Sequence, residues 1–294
     1  MSTNVIINMF FINASDDGTP VDSDISLAFA SDLHLALNGV NQQLSFRDAI
    51  TDINADASIE GTIIPGDLVD NNSATGKSEF ATEIANLNTP HLLCRGNHSV
   101  LSTFAADYGQ SYEGSSNIRW LQIIRIDNSW EQTGPGQYSG DSAKDHMGRF
   151  SVAQMTQLQA DITAAVNANR KVLIVHHVTR EKRTHPHPGY GMSAGDRLNY
   201  DTILTNNAAH IVGIVSGHNH RPLSIWTDHA SIPEIVVPNT WGNVDPAPTG
   251  NPPPYYAAGH TVPSWTKLTF RKSPAQLTAV QYQINGNALA TFTI

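Results

Sequence analysis

Five short clusters of metal-binding residue types stand out in the sequence, each directly after an apolar run. They pair histidine, aspartate or asparagine, and they are Asp32 and His34, Asp67 and Asp70, Asn97 and His98, His176 and His177, and His218 and His220. Imidazole, carboxylate and amide oxygen together suit cations such as zinc, iron or manganese. One such pair alone is more often a surface turn, but five at equivalent positions favour a shared function.

The stretch from Thr62 to Asp70 shows the pattern most clearly. An apolar, β-branched run is followed by Pro65 and Gly66, and then by Asp67. A short apolar run bounded by Gly and Pro predicts a buried strand that ends in a turn. Ligands of open α/β sheets bind at the carboxyl ends of the strands. We therefore expect Asp67 at the mouth of a cleft, as a bridge between two metal ions on which all five clusters converge.

The elements that must position these clusters alternate in type. Strands are predicted at 25–30, 62–64, 91–95, 119–127, 171–175 and 211–215, and helices at 46–59, 78–87, 152–167 and 197–206. Ser151 is a plausible N-cap for the third helix. Further strands are predicted near 234–237, 265–271, 277–284 and 288–294, and they are expected to be antiparallel because no helix separates them. This succession predicts the α/β fold class.

Length and composition indicate one globular domain. The chain has 294 residues, of which 40% are hydrophobic and 15% charged, a composition that is sufficient for a core. No repeat or interdomain linker is visible, so residues 1–294 are interpreted as a single domain. Residues 1–24 would be an N-terminal extension, and 255–294 would supply C-terminal strands that complete the fold.

Charge and cysteine content limit the classes of partner. The net charge of −9 disfavours a nucleic-acid surface, so nucleic acid is expected only as a substrate. No signal peptide and no apolar run of about 20 residues is seen, so no membrane contact is expected and the cytoplasm is the default compartment. The single cysteine, Cys94, allows no intramolecular disulfide. The many Asn, Thr and Gly residues would equally suit an exported or virion protein, and the oligomeric state stays open.

In order and spacing, these motifs resemble the calcineurin-like metallophosphoesterase family. The resemblance runs from about Ile25 to Asn239 and is carried by Ser-Asp32-Leu-His34, Gly-Asp67-Leu-Val-Asp70, Gly-Asn97-His98, Val-His176-His177 and Gly-His218-Asn-His220. It implies a β-sandwich of two mixed sheets flanked by helices. It also implies two divalent or trivalent metal ions, Mn, Fe or Zn, and a phosphate-ester substrate.

The resemblance further implies a role for each residue. One metal would take Asp32, His34, Asp67 and His220, and the other would take Asp67, Asn97, His176 and His218. Asp67 would offer one oxygen to each ion. His176 is preferred to His177 as a ligand because the ligand of the family is the first residue after the strand, and His177 would then lie behind the ligands or face the substrate.

Residues beside the metals would assist catalysis. His98 would contact the phosphoryl oxygen or the leaving group, and Asp70 would orient His98. Substrate contacts are expected from Asn97, His98, His177 and Arg221, although a surface ion pair is the alternative for Arg221. The family often carries an acidic residue after the Asn-His pair, whereas this chain has Ser99.

Two adjacent cations clamp the attacking and leaving oxygens of a phosphate ester, and they lower the pKa of a bound water so that hydroxide is available near neutral pH. The histidine in Asp32-Leu-His34 and the Gly-His218-Asn-His220 motif resemble the phosphodiesterase branch, which favours phosphodiesters as substrates. A phosphomonoesterase that acts on proteins or small molecules is the main alternative. A nuclease, a non-catalytic binding module and a virion or cell-surface module that degrades a phosphate-containing polymer are the others.

Three long loops, 128–148, 178–196 and 245–263, have no assigned role. The second carries a group of basic residues, which are Arg180, Lys182, Arg183, His185 and His187. These side chains could contact the substrate or form a solvated basic stretch, and a third metal at His185 and His187 is a less favoured interpretation.

Overall fold

A computed structural model describes residues 22–37, 41–129, 131–134, 137–139, 148–180, 191–242, 255–256 and 262–294. The strands are β1 (Ile25–Phe29), β2 (Ile59–Ile64), β3 (His91–Leu93), β4 (Gly114–Ile118), β5 (Leu121–Arg125), β6 (Glu131–Gly134), β7 (Gln137–Ser139), β8 (Lys171–Val175), β9 (Ile211–Ser216), β10 (Ser224–Trp226), β11 (Glu234–Val236), β12 (Tyr255–Tyr256), β13 (Ser264–Arg271), β14 (Gln276–Gln283) and β15 (Ala288–Thr293). The α-helices are α1 (Gln42–Ala55), α2 (Ala74–Ile84), α3 (Phe104–Tyr108), α4 (Val152–Asn167) and α5 (Ala194–Asn207).

Most strands belong to two mixed sheets. The first has six strands in the order β15-β14-β13-β1-β2-β3, and the second has seven in the order β12-β10-β11-β9-β8-β5-β4. Strands β1, β2 and β3 are parallel, as are β5, β8, β9 and β11. The outer strands β4, β10, β12 and β13–β15 pair antiparallel, and β6 and β7 form a separate hairpin. The predicted α/β fold with two mixed sheets is confirmed.

The two sheets pack face to face through a continuous apolar core. Leu27 and Phe29 of β1 belong to the same buried cluster as Leu173 and Val175 of β8, so this core joins one sheet to the other. Burial of side chains from both sheets removes their apolar surface from water. This is the main source of the free energy that stabilises such a sandwich.

Helices cover the outer faces of the sandwich. Phe46 of α1 and Phe80 of α2 pack with Ile64 on the first sheet, and their rings stack at 5.9 Å. On the second sheet, Leu158 and other residues of α4 pack with Tyr200 of α5 against β8. The layers are therefore helix, sheet, sheet and helix.

Local capping decides where several helices begin. Helix α1 begins earlier than predicted because the Asn41 side chain accepts a hydrogen bond from the backbone N–H of Leu44. Helix α2 also begins earlier, since Ser73 caps its first turn. Helix α4 has the predicted bounds, and Ser151 is its N-cap in a capping box with Gln154.

One expectation about strands was incomplete and one was wrong. The strand expected at 119–127 is present as β5, but it is one arm of a hairpin whose first arm, β4, was not predicted, and Arg119 in the turn has a positive φ of 48°. Strand β11 runs parallel to β9, not antiparallel, because the unpredicted strand β10 lies beyond it in the sheet. Strands β13 to β15 are antiparallel as expected and extend the first sheet from β1.

Residues 1–21 of the expected N-terminal extension lie outside the described residues. The helices that the structure describes lack the length and apolar character that a membrane crossing needs.

The core between the sheets should dominate stability. We expect Leu27→Ala to lower the free energy of unfolding by about 2–5 kcal/mol, because Leu27 is fully buried between the sheets. Leu198→Ala is the matched control, since 69% of Leu198 is exposed on α5, and it should change stability by less than about 0.5 kcal/mol. Urea unfolding followed by circular dichroism measures both, and equal effects would contradict the assignment of the core.

Candidate metal centre

The five sequence clusters follow β1, β2, β3, β8 and β9, and their side chains meet beyond the carboxyl ends of these strands. Three groups of side chains present ligand atoms within 4.8 Å of one another, and they are Asp32, His34 and His220; His34, Asp67 and His98; and Asp67, His177 and His218. Because neighbouring groups share His34 or Asp67, they form one continuous cluster. Five of the seven predicted metal ligands lie in it, and a sixth, Asn97, contacts it, because its Oδ1 lies 3.0 Å from His177 Nε2.

The half of the cluster nearer to solvent is built from Asp32, His34 and His220, here called the outer half. The Nε2 atoms of His34 and His220 are 3.0 Å apart, and His220 Nε2 lies 3.4 Å from Asp32 Oδ1. His34 Nε2 is also 3.5 Å from Asp67 Oδ2. The side chain of His220 is 24% exposed, whereas Asp32 and His34 are buried.

The other half, here called the inner half, is built from Asn97, His177 and His218, all of them buried. His177 Nε2 lies 3.0 Å from Asn97 Oδ1, 3.2 Å from His218 Nδ1 and 3.1 Å from Asp67 Oδ2. Metal–nitrogen bonds of about 2.0–2.1 Å place neighbouring ligand atoms about 3.0–3.4 Å apart. The spacing of the donors in both halves therefore fits a pair of cations.

Asp67 joins the two halves through a single oxygen. Its Oδ2 faces both His34 and His177, whereas its Oδ1 accepts a hydrogen bond of 3.0 Å from the backbone N–H of His98. The expectation was that each ion would receive its own oxygen of Asp67, whereas here only Oδ2 faces the histidines of both halves. The His98 amide holds Oδ1 away from the donors, so Oδ2 is the atom that both halves share.

The sequence favoured His176 over His177 as a ligand, but the structure places His177, and not His176, among the donors of the inner half. His176 Nε2 contacts the hydroxyl of Tyr200 at 3.2 Å, on the helix side of the sheet. Side chains alternate along a strand, so His176 follows Ile174 toward the helices and His177 follows Val175 toward the space between the sheets. The metal-ligand cluster lies at the end of that space.

Neighbouring histidines keep the two ligand carboxylates ionised. Burial alone would raise the pKa of Asp32, but the hydrogen bond and charge of His220 outweigh it and the pKa falls to about 2. Burial likewise opposes ionisation of Asp67, yet His177 and His98 hold its pKa well below the usual range. For His177, burial favours the neutral form, but the charges of Asp67 and Asp32 raise its pKa overall. Both carboxylates can thus act as anionic ligands.

The backbone of the ligand loops adopts conformations that most residues avoid. Positive φ angles between 43° and 68° occur at Asp32, His34, Asp67, His218 and His220. Such angles are uncommon outside glycine, and they concentrate at functional sites because they aim side chains that regular strands could not aim.

Three glycines permit the close approach of these loops. A Cβ at Gly96 would collide with Asp67, and one at Gly217 would collide with Ser31 and Asp32. Gly66 has a φ of 125°, and a Cβ there would lie 2.5 Å from His177 Nδ1. Each of these glycines directly precedes a ligand, so only the smallest residue allows the ligand loops to pack together.

The rim of the cluster contains the two predicted catalytic residues. His98 Nδ1 lies 2.8 Å from Asp70 Oδ1, and the ring of His98 meets that of His34 edge-on at 4.5 Å. The His98 side chain is 20% exposed, so it is accessible to a dissolved ligand. His98 and Asp70 are thus in contact, and the orienting role of Asp70 stays a prediction.

The structure does not place Arg221 where the sequence suggested. Its side chain is only 1% exposed, which disagrees both with a contact to a dissolved phosphate and with a surface ion pair. Arg180 is also buried, and its guanidinium pairs with Asp201 at 3.1 Å and Glu234 at 3.3 Å, so it is neither solvated nor poised for substrate. The other basic residues of that loop, Lys182, Arg183, His185 and His187, lie outside the described residues.

Two supporting residues were not predicted. The Asn128 side chain accepts from the N–H of Val178 at 2.9 Å and donates to its carbonyl at 2.6 Å, which fixes the turn after His177. Trp241 Nε1 donates to the backbone carbonyl of Asp32 at 2.7 Å. Asn128 follows a predicted strand, as the ligand clusters do, and this signal could have found it; no sequence signal marked Trp241.

We expect Gly217→Ala to reduce the metal content, because the new methyl group would displace Asp32 from the cluster. Gly195→Ala is the matched control, since no atom lies within 4 Å of a Cβ at Gly195. Elemental analysis of both variants after reconstitution with metal should show a lower metal content only in Gly217→Ala. Full metal content in Gly217→Ala would show that the loop can move without consequence.

Comparison with known structures supports the fold. A dimetal phosphatase from Danio rerio is 13% identical with a TM-score of 0.62, over 94% of this chain and 99% of that chain. The purple acid phosphatase PPD1 from yellow lupin (Lupinus luteus) is 12% identical with a TM-score of 0.68, over 94% of this chain and 54% of that chain. GAP50, the anchor in the inner membrane complex of Plasmodium, is 11% identical with a TM-score of 0.63, over 92% of this chain and 88% of that chain. At these identities the likeness shows the fold alone.

Sequence comparison adds the family. No curated protein matches the chain at a significant level. The model of the calcineurin-like phosphoesterase family matches residues 25–222, which is more than half of the chain and includes every candidate metal ligand. This protein therefore belongs to the calcineurin-like phosphoesterase family.

Proposed function

We propose that this protein hydrolyses phosphate esters, and phosphodiesters in preference, with two metal ions held by the cluster. The observation that carries the proposal is the position of Asp67 Oδ2, which lies within 3.5 Å of donors in both halves. One ion would be held by Asp32, His34, Asp67 and His220. The other would be held by Asp67, Asn97, His177 and His218.

The donor types fit cations that the family uses, and neutral imidazole with carboxylate and amide oxygen admits Mn, Fe or Zn. When bound, such a pair lowers the pKa of a water and neutralises charge on the phosphoryl oxygens. The chain itself supplies Asp32 and Asp67 as the anionic ligands, whose two charges leave the loaded site positive. An anionic ester can therefore bind despite the net charge of −9.

His98 is proposed to assist the leaving group. Its position at the rim allows it to reach a bound ester, and Asp70 lies 2.8 Å from its Nδ1. The charge of Asp70 would favour a proton on Nδ1, which leaves Nε2 to exchange a proton or hydrogen bond with the leaving oxygen. Of the substrate contacts expected from the sequence, His98 is therefore retained, whereas the buried Asn97 and His177 are assigned to the metal.

The direction of approach follows from exposure. Every residue of the inner half is buried, whereas His220 and His98 retain 24% and 20% side-chain exposure. The ester is therefore proposed to enter over the outer half, with its leaving group on the side of His98.

The preference for diesters rests on the histidine motifs around Asp32, His34, His218 and His220. Phosphomonoesters are the second candidate class, since two structural neighbours carry the name phosphatase. Those neighbours are only 12–13% identical, so their names do not decide between the classes.

The test compares an aryl phosphodiester with the matching aryl phosphomonoester. The protein is stripped with a chelator and assayed with and without added Mn²⁺. We expect turnover of the diester to exceed that of the monoester and to return with the metal. Faster monoester hydrolysis would contradict the diester preference, and no turnover of either ester with two metals bound would contradict the proposed activity.

The proposal that His177, and not His176, is a metal ligand can be tested directly. We expect His177→Asn to lower the metal content by about one ion and to abolish turnover, because His177 contacts Asp67, Asn97 and His218. His176→Asn is the matched control and should retain both metals, because His176 contacts Tyr200 and Asn128 instead. Metal loss in the control alone would restore the original assignment.

The proposed role of His98 predicts that its removal slows turnover without loss of metal binding. We expect His98→Ala to retain both metals and to slow turnover by about 10²–10⁴, the usual contribution of general acid–base catalysis. Asp67→Asn should lower metal content and abolish turnover together, because its oxygen serves both halves. Wild-type rates in His98→Ala would remove His98 from the mechanism.

A further inference from the structure

Ser31 lies at the end of β1 and contacts the ligand carboxylate beside it. Its side chain is fully buried, and its hydroxyl donates a hydrogen bond of 2.6 Å to Asp32 Oδ2. The backbone carbonyl of Ser31 accepts hydrogen bonds of 3.1 Å from both the N–H and the hydroxyl of Thr240. The position of the Ser31 hydroxyl is therefore defined by contacts on both sides.

The two oxygens of Asp32 have different surroundings. The backbone N–H of His218 donates to both, at 2.9 Å to Oδ1 and 3.0 Å to Oδ2. Oδ2 has the Ser31 hydroxyl in addition, whereas Oδ1 faces His220 Nε2 at 3.4 Å. Ser31 thus directs Oδ2 away from the other donors and presents Oδ1 to them.

This contact also joins the two sheets. Ser31 and Asp32 follow β1 of the first sheet, whereas Gly217 and His218 follow β9 of the second. The Ser31 hydroxyl lies so close to Gly217 that a Cβ there would overlap it. The hydroxyl therefore fills the space between the loop of Asp32 and the loop that carries His218 and His220.

Asp67 provides an internal comparison. One of its oxygens is also held by the backbone N–H of a neighbouring ligand loop, that of His98, and the other faces the histidines. Both carboxylates are thus arranged as ligands through one oxygen. At Asp32, however, the Ser31 hydroxyl also holds one oxygen, and this hydroxyl can be removed by mutation.

We propose that Ser31 is a positioning residue for the outer half. Its hydroxyl holds the Asp32 carboxylate so that Oδ1 faces His220 and is available as a ligand of the outer half. The inference rests on the proposed function only in that the cluster binds two metal ions. It assigns to Ser31 no contact with substrate or with the reacting atoms.

Loss of the hydroxyl should affect one metal more than the other. Without the donor to Oδ2, the Asp32 carboxylate can rotate and present both oxygens, and a space opens beside Gly217. Residues that orient a ligand usually contribute about 10–100-fold to metal affinity. We therefore expect Ser31→Ala to weaken binding to the outer half by about 10–100-fold, while the inner half, which lacks Asp32, changes by less than about 2-fold.

The experiment titrates the metal-stripped protein with Co²⁺. Calorimetry resolves the two affinities, and visible absorption reports the coordination of each ion. Ser26→Ala is the matched control, because Ser26 is a largely buried serine of β1 whose hydroxyl bonds to Thr269 at 2.8 Å, away from the cluster. Thermal unfolding of both metal-free variants measures the purely structural effect of losing a buried hydroxyl.

In Ser31→Ala we expect the affinity of the outer half for Co²⁺ to fall and the Co²⁺ spectrum to change. In Ser26→Ala we expect both affinities and the spectrum to match those of the wild-type protein. Two unchanged affinities, or an equal loss at both sites, would overturn the inference and leave Ser31 with a structural role. A wild-type protein that binds two Co²⁺ ions but hydrolyses neither ester would overturn the proposed function and leave this inference standing. Failure of the wild-type protein to bind Co²⁺ would overturn both.

Discussion

The site depends on keeping two ionised carboxylates buried and close to histidines from loops of both sheets. A buried carboxylate is unfavourable unless hydrogen bonds and positive charge compensate for the lost hydration. Asp32 and Asp67 obtain both, because each accepts from the backbone N–H of another ligand loop and faces imidazoles. Since these N–H groups belong to His98 and His218, each carboxylate also ties two ligand loops together.

The same arrangement explains the unusual backbone. Ligand side chains from five strands can meet only if the loops turn sharply, which accounts for positive φ at five ligands and for glycine at Gly66, Gly96 and Gly217. Left-handed conformations cost roughly 1–2 kcal/mol at a non-glycine residue. The packed sandwich must offset this strain, so the core and the capped helices on either side are what allow the metal-ligand cluster to form.

The two halves differ in exposure, and the proposed direction of substrate approach rests on this difference. The inner half is enclosed between the sheets, where Asn128 holds the turn after His177, whereas the outer half borders solvent near His98. An enclosed ion would be shielded from exchange, and a more accessible one could receive the substrate. The paired His98 and Asp70 lie on the accessible side, where a leaving group would need a proton.

The sequence by itself determined the fold class and most of the polar residues that meet beyond the strand ends, because residue type and position after an apolar run are local properties. Only the tertiary structure decided between His176 and His177, since both faces of β8 are apolar and the pattern does not reveal which face meets the other sheet. The same holds for the burial of Arg221, for the single oxygen of Asp67 that faces both halves and for the contact of Ser31 with Gly217. Each depends on residues distant in sequence that pack together only when the two sheets come face to face.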